Sequence, residues 1–401
     1  MAPLHPTVRR LALVSLLTDA SSEMIYPLLP SFLTGVLRAG PAFVGLVEGL
    51  AESVAALAKI VSGGISDGMR RRKPLIVGGY ALSSLARPLV AAATAPWHVL
   101  GVRIADRIGK GTRGAPRDAL LAQVTAREDL GRAFGFQRAM DHAGAVIGPL
   151  VASALLLLHV PLRTVFALAA VPALASVLVL AFGVREEPRA ARAGSRPAPM
   201  AAAVTAAAPA SSPGLGRLLT VIGLFTLGNS SDAFLLLRAQ DAGVSLPLIP
   251  ILWTAHHVVK SSTSTAGGAL SDRVGRRAAI ATGWALYALC YAGLALATSA
   301  WQVWALFAVY GLHHALTEGP ERALVAEMAG AEARGRAFGL YHAVTGALLL
   351  PASLITGALW QRFSPAAALL TGAALALVAT IALMAVVREP SRGAGSGKPA
   401  G

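Results

Sequence analysis

The chain has 401 residues, of which 55% are hydrophobic and only 14% charged. Soluble domains carry about a quarter charged residues, so this composition excludes an ordinary soluble domain and predicts a membrane protein. A formal net charge of +15 invites a nucleic-acid partner, but the Lys and Arg gather at the ends of apolar runs on one side, as in Arg9, Arg10, Arg70 to Lys73, and Arg276 and Arg277. That is the positive-inside pattern of a multi-pass protein with both termini in the cytoplasm of a cell membrane. It implies no nucleic-acid partner.

Apolar runs long enough to cross about 30 Å of hydrocarbon recur twelve times. They cover approximately 8–35, 42–66, 75–95, 97–123, 133–158, 163–184, 217–239, 246–271, 278–298, 301–328, 337–361 and 365–387. These runs are too continuously apolar for barrel strands. The expected fold is therefore an all-α membrane protein with twelve transmembrane helices. The start resembles a signal peptide, but Asp19 and Glu23 interrupt its apolar run, so it reads as an uncleaved first span. The single cysteine, Cys290, excludes a disulfide within the chain.

The second half repeats the first. Trp97 falls on Trp301, an offset of 204 residues. Pro116-Arg-Asp-Ala-Leu120 falls on Pro320-Glu-Arg-Ala-Leu324, and Gly131-Arg-Ala-Phe-Gly135 on Gly335-Arg-Ala-Phe-Gly339. Two pseudo-symmetric six-helix bundles follow, related by an axis along the membrane normal. Their expected bounds are 1–184 and 217–388, with a cytoplasmic linker over 185–216 and a disordered tail over 389–401.

After the second span stands Gly63-x-x-x-Asp67-Gly-Met-Arg70-Arg71-Arg72, and after the eighth Gly268-x-x-x-Asp272-Arg273-Val-Gly275-Arg276-Arg277. The second copy closely resembles the loop motif of the major facilitator superfamily; the first has Gly68 where Arg is usual. By physical reading, the glycine lets two helices approach and the arginines hold a carboxylate on an adjacent span. Asp118 is the candidate for the first loop. Such a cluster is a latch made in one conformation and broken in another. The plainer alternative is a topogenic charge run. In the fifth span, Gly135-x8-Gly144-x3-Gly148-Pro149 resembles the antiporter motif of exporters in that superfamily. Ordinary small-residue packing is the competing explanation.

At 100° per residue, Arg103, Asp106, Lys110, Arg113 and Arg117 of the fourth span fall within an arc of about 80°. Ionisable groups at membrane depth are costly and usually functional. In the family this helix borders the central cavity, so the resemblance implies a cavity wall; a structural ion-pair network is the alternative. Tyr310, His314, Thr317 and Glu321 of the tenth span stand at repeat-equivalent places. Asp19 and Glu23 share a face of the first span, with Asn229 and Asp232 as counterparts in the seventh. Asp19, Glu23, His314 and Glu321 are the candidate proton carriers.

The resemblance implies secondary active transport of a small-molecule substrate by a monomer in a lipid bilayer, with proton-coupled export as the expected direction. No nucleotide-binding or hydrolase motif occurs, so no enzyme activity, cofactor or resident metal is expected. His142, His256, His257, His313, His314 and His342 keep a divalent-metal or metal-chelate substrate open. A non-transporting receptor or enzyme using the same cavity is the alternative of another class.

Overall fold

The computed structural model describes residues 4–126, 129–186 and 213–389. The side chains at 67, 213, 330–333 and 335 lie outside that description, and so do the expected role of Asp67, most of the linker and the tail. All regular structure among the described residues is helical.

The long helices are α1 (Pro6–Ile25), α2 (Pro41–Gly68), α3 (Lys73–Ala86), α4 (Pro96–Gln123) and α5 (Leu130–Leu157). Then come α6 (Leu162–Leu168), α7 (Ala170–Leu178), α8 (Pro213–Gly228), α9 (Ala233–Asp241), α10 (Ile249–Val274), α11 (Arg276–Leu296), α12 (Ala300–Arg362) and α13 (Pro365–Val386). Proline opens α1, α2, α4, α8 and α13, where its missing N–H is an orphan donor anyway and its φ is already helical. After α1 the chain tightens into a 3-10 turn over Tyr26–Leu28 and widens into a π turn over Phe32–Val36. Pro27 and Pro30 withhold backbone donors there.

Two spans differ from expectation. The 217–239 run is broken between α8 and α9, where the Ser231 hydroxyl accepts from the Ala233 N–H at 3.3 Å. Such side-chain bonds compete with helix continuation, and the break sets Asn229 and Asp232 at the joint. Runs 301–328 and 337–361 follow each other within the helical stretch α12, with no non-helical residue between them. The Tyr341 hydroxyl nevertheless lies 3.1 Å from Glu321. A straight helix would separate them by about 30 Å, so the chain doubles back between them.

Seven helical stretches among the described residues are long and apolar enough to cross a membrane. Helices α1, α2, α4 and α10 are not among them; these four carry Asp19, Glu23, Glu48, Glu52, Lys260 and the charges of α4. Polar content, from His, Ser and Thr in α10 as well as from charges, rather than length, sets these four apart.

Helix α5 lies against α1 through Gly144 and Gly148. A Cβ on Gly144 would come within 3.0 Å of the Asp19 Cβ, and one on Gly148 within 3.0 Å of the Ala20 Cα. The residues of the expected antiporter motif therefore seat the helix that carries Asp19 and Glu23. Gly135 has open space around it. Gly148→Ala is expected to lower thermal stability in detergent by the roughly 1–3 kcal/mol of an overpacked contact. Gly135→Ala should leave it unchanged or raise it, since Ala is the better helix former; equal effects of the two changes would contradict this packing.

Candidate functional site

The charges of α4 do not form one uniform wall. Arg103 donates through Nη2 to both oxygens of Glu48 on α2, at 2.8 and 2.9 Å. Asp106 accepts from Arg87 at 2.7 Å, and Arg87 also donates to the Thr18 carbonyl at 3.0 Å. All four charged groups are buried. Arg107 pairs with Glu52 at 3.2 Å. The Arg113 guanidinium lies over the Tyr80 ring, 4.3 Å from its centroid. Arg103 and Asp106 thus lie in the structural ion-pair network that the sequence left as the alternative to a cavity wall, and Arg113 packs on an aromatic ring beside it. Arg103 and Asp106 turn into the helix packing, because a membrane interior makes an unpaired charge more costly than a paired one.

Lys110 is the exception on that face: it is exposed and makes no ion pair within 4.0 Å among the described residues. It lies within electrostatic range of Asp19, Glu23 and Glu52. Asp19 is half-buried, with no hydrogen bond or ion pair among the described residues. Glu23 accepts from the indole N–H of Trp253 on α10 at 2.8 Å. Arg117 bonds Asp118 at 2.9 and 3.0 Å and Ser15 at 3.0 Å. Gln137 of α5 donates to Ser15 as well.

On the other side, Tyr310 donates to Asp232 at 2.8 Å, and the half-buried Asn229 lies at the α8–α9 joint. Glu318 holds Lys260 at 2.6 Å and His314 at 3.4 Å. Glu321 is buried and accepts from Trp284 at 2.9 Å and Tyr341 at 3.1 Å. Both donors are neutral. The Thr317 hydroxyl is spent on the His313 carbonyl at 3.0 Å. Arg117 and Glu321 each have local partners, so these two repeat-related residues do not meet here. His256, His257, His313 and His314 are packed in an aromatic cluster with Trp253 and Tyr310. No group of three or more His, Cys, Asp or Glu able to hold a metal is assembled among the described residues.

The loop motifs hold differently from expectation. Arg276 bonds Asp272 at 2.8 Å and Glu327 of α12 at 2.7 Å, while Arg273 is exposed. Gly275 makes the turn into α11 at φ +99°, a conformation that favours glycine. Arg72 reaches Gln123 at 3.2 Å, and Arg71 is exposed. Asp118, the candidate partner of the first-loop arginines, has its Oδ1 engaged by Arg117. Gly63 and Gly268 leave room for a Cβ, which corrects their expected role in close approach. That role belongs to Gly267, whose Cβ would come 2.7 Å from the Ala315 carbonyl carbon.

Sequence reasoning missed a second pair of contacts. Glu186 accepts from the backbone N–H groups of Arg72 and Lys73 at 2.8 and 2.7 Å, capping α3. Glu389 accepts from the backbone N–H of Arg277, at the start of α11. The signal was present: Val184-Arg-Glu186 and Val387-Arg-Glu389 are one more repeated landmark. Carboxylates at these helix starts satisfy orphan donors and complement the dipole. Arg87, Trp253, Trp284 and Tyr341 carried no such repeat signal.

Hydrogen bonds join the 4–186 and 213–389 regions at one end. Ser31 donates to Gln240 at 2.6 Å, Ser153 to the Pro247 carbonyl at 2.7 Å, and the Ala42 N–H to Gln361 at 3.2 Å. The basic end, with Arg70 to Lys73 and Arg276 to Arg277, has no such joining bond among the described residues. Nearer the middle of the molecule, Ser53 of α2 also donates to the Gly346 carbonyl of α12 at 3.2 Å. A cavity of about 540 Å³ at the basic end is lined by Leu4, Arg9, Arg132, Gly135, Phe136 and Ala139.

Packed helices, a charged site between two regions and paired basic turns define a polytopic membrane transporter. The family model of the Major Facilitator Superfamily matches residues 11–255 and 215–401, and the chain belongs to that superfamily. It is 33% identical over 394 residues to an MFS-type transporter of Methanocaldococcus jannaschii, covering 95% of each chain. It is 34% identical to the multidrug resistance protein MdtH of Photorhabdus laumondii over 133 residues, a match covering 33% of each chain. Among solved structures, it resembles the nucleoside transporter NupG (D323A mutant) at a TM-score of 0.82 and 15% identity, covering 95% of this chain and all of that one. A bacterial homologue of the lysosomal transporter Spinster, inward-facing and unoccupied, is similar at a TM-score of 0.70 and 16% identity, with 94% of each covered.

Arg103→Ala should strand Glu48 in the packing and cost about 3–5 kcal/mol, the range for breaking a buried pair. Replacing both partners at once, Arg103→Met with Glu48→Leu, should recover most of that loss. Thermal unfolding in detergent checks this, and a double variant no more stable than Arg103→Ala would contradict the pairing.

Proposed function

We propose that the chain is a secondary active transporter that exports a small organic compound in exchange for protons. Twelve spans form two six-helix bundles, 1–184 and 217–388, which rock about a midplane site with both termini in the cytoplasm. The linker spans 185–216 and the tail 389–401. On this reading the basic end faces the cytoplasm, and the substrate enters there.

One observation carries the proton coupling. Asp19, Glu23 and Glu321 are carboxylates at membrane depth with no cation within salt-bridge distance among the described residues. Asp19 has no bonded partner there, and Glu23 and Glu321 accept only from neutral donors. A proton is the simplest neutralising partner for such a group, and it can be exchanged as access alternates. The buried pairs Arg103–Glu48 and Arg87–Asp106 support the helices; Asp19, Glu23, Lys110, Asn229, Asp232, His314 and Glu321 handle substrate and protons. The partial likeness to multidrug resistance proteins favours export. His256 and His313 stack on aromatic rings while His257 and His314 meet rings edge-on, and this aromatic lining favours an organic compound over a metal ion. The contacts of Arg276 and the Glu186 and Glu389 caps fit latches that act as the basic end opens and closes.

Proteoliposomes with a pH-sensitive dye inside test the reading. Addition of aromatic amines, nucleosides or a metal chelate should release or consume protons for at least one class. Asp19→Asn or Glu321→Gln should lower that proton-linked flux at least about tenfold with the protein still folded. A compound that binds and stabilises the protein, yet drives no flux in any direction, would point to a receptor and sink the transporter reading.

A further inference from the structure

Besides the Ser53–Gly346 bond, one hydrogen bond between the two regions lies at the depth of the candidate site rather than at the closed end. Trp253 donates its indole N–H to Glu23 at 2.8 Å. The indole is 5% exposed. It lies 5.3 Å from the Tyr26 ring and 5.4 Å from the His256 ring, centroid to centroid. Rings on two sides therefore hold its direction. Glu23 shares its own helix with Asp19. From α4 it faces Arg103, Arg107 and Lys110; Asp141 of α5 faces Asp19; His256 and His257 of α10 flank the indole. None of these cations is within salt-bridge distance of Glu23 among the described residues. The indole N–H is the only hydrogen-bond donor it has there.

That donor comes from the opposite region. Whatever separates α1 from α10 must break the bond, and the Ser31–Gln240 and Ser153–Pro247 contacts, on neighbouring segments, join the same two regions. A hydrogen bond donated to a carboxylate favours its charged form over the acid. We propose that Trp253 is a positioning residue that ties proton release from Glu23 to closure of the end away from the basic turns. This rests on the proton-coupled reading above. With that end closed, the N–H stabilises the anion and the proton leaves toward the basic end. With it open, Glu23 loses its donor and takes up a proton from the other side. Each cycle moves one proton on Glu23 and needs no other reactant.

Spin labels at Leu158→Cys and Phe363→Cys report the opening of that end, since both positions are exposed, at 74% and 68%. Cys290 is buried and stays in place. In nanodiscs without substrate, the long-distance population should grow as pH falls from about 9 to 5. Trp253→Phe keeps the ring but lacks the N–H, and should shrink that pH-driven change at least about threefold. Trp253→His keeps a donor and should restore part of it. Glu23→Gln should shrink it at least as much even where Trp253→Phe proves unstable. A full pH response in either Trp253→Phe or Glu23→Gln overturns the proposal. Proton-linked flux in proteoliposomes separates the two readings. Flux that persists beside such a response removes only the role of Trp253, whereas a wild type without proton-linked flux removes the parent reading.

Discussion

The rest of the structure depends on the pairing of Arg103 with Glu48 and of Arg87 with Asp106 inside the helix packing. An isolated ion in a low-dielectric interior is too costly to keep, and α4 carries six charges between Arg103 and Arg117. The fold meets this by bringing α2 and α3 against α4. Gly109 and Gly111 permit the approach: a Cβ on Gly109 would come 2.9 Å from the Ser83 N, and one on Gly111 2.6 Å from the Ala58 Cβ. Small residues on α4 are therefore as much part of the ion network as the charges.

That network decides which charges remain for function. Once Arg103, Asp106 and Arg107 have partners, Lys110 is left exposed beside Asp19 and Glu23. The α1 carboxylates are placed by α5, whose Gly144 and Gly148 lie against Asp19 and Ala20. Packing on one side of α1 and ion pairing behind α4 thus set a common space. Across it stand Trp253, Asp232 and Tyr310. The opposite region solves its buried carboxylate differently, with the neutral donors Trp284 and Tyr341 on Glu321.

The two ends of the molecule are held by different physics. At the basic end, each region is tied to itself, through Glu186 on the start of α3 and Glu389 on the start of α11. At the other end, hydrogen bonds and close backbone approach tie the regions to each other. A Cβ on Gly357 would come 2.9 Å from the Ala42 Cα, and one on Gly49 3.0 Å from the Leu350 Cα. Local ties at one end hold each region to itself, whereas cross ties at the other bind the two regions to each other.

Much of the architecture was legible in the chain itself. Apolar runs, the Gly-x-x-x-Asp loop motifs and the repeat offset determined a helical membrane protein of the major facilitator superfamily, because hydrophobic length and local motif spacing are properties of contiguous residues. The candidate carboxylates were legible too, since a charge in an apolar run stands out. Which α4 charges turn inward was not. Helical angle places Arg103, Lys110 and Arg117 on one face, but only the neighbours at each depth decide whether that face meets Glu48, open space or Ser15. Arg87 and Trp253 were invisible as site residues for the same reason: their partners, Asp106 and Glu23, lie 19 and 230 residues away. Tertiary structure alone decided those pairings, because they depend on the distance between helices rather than on the spacing within one.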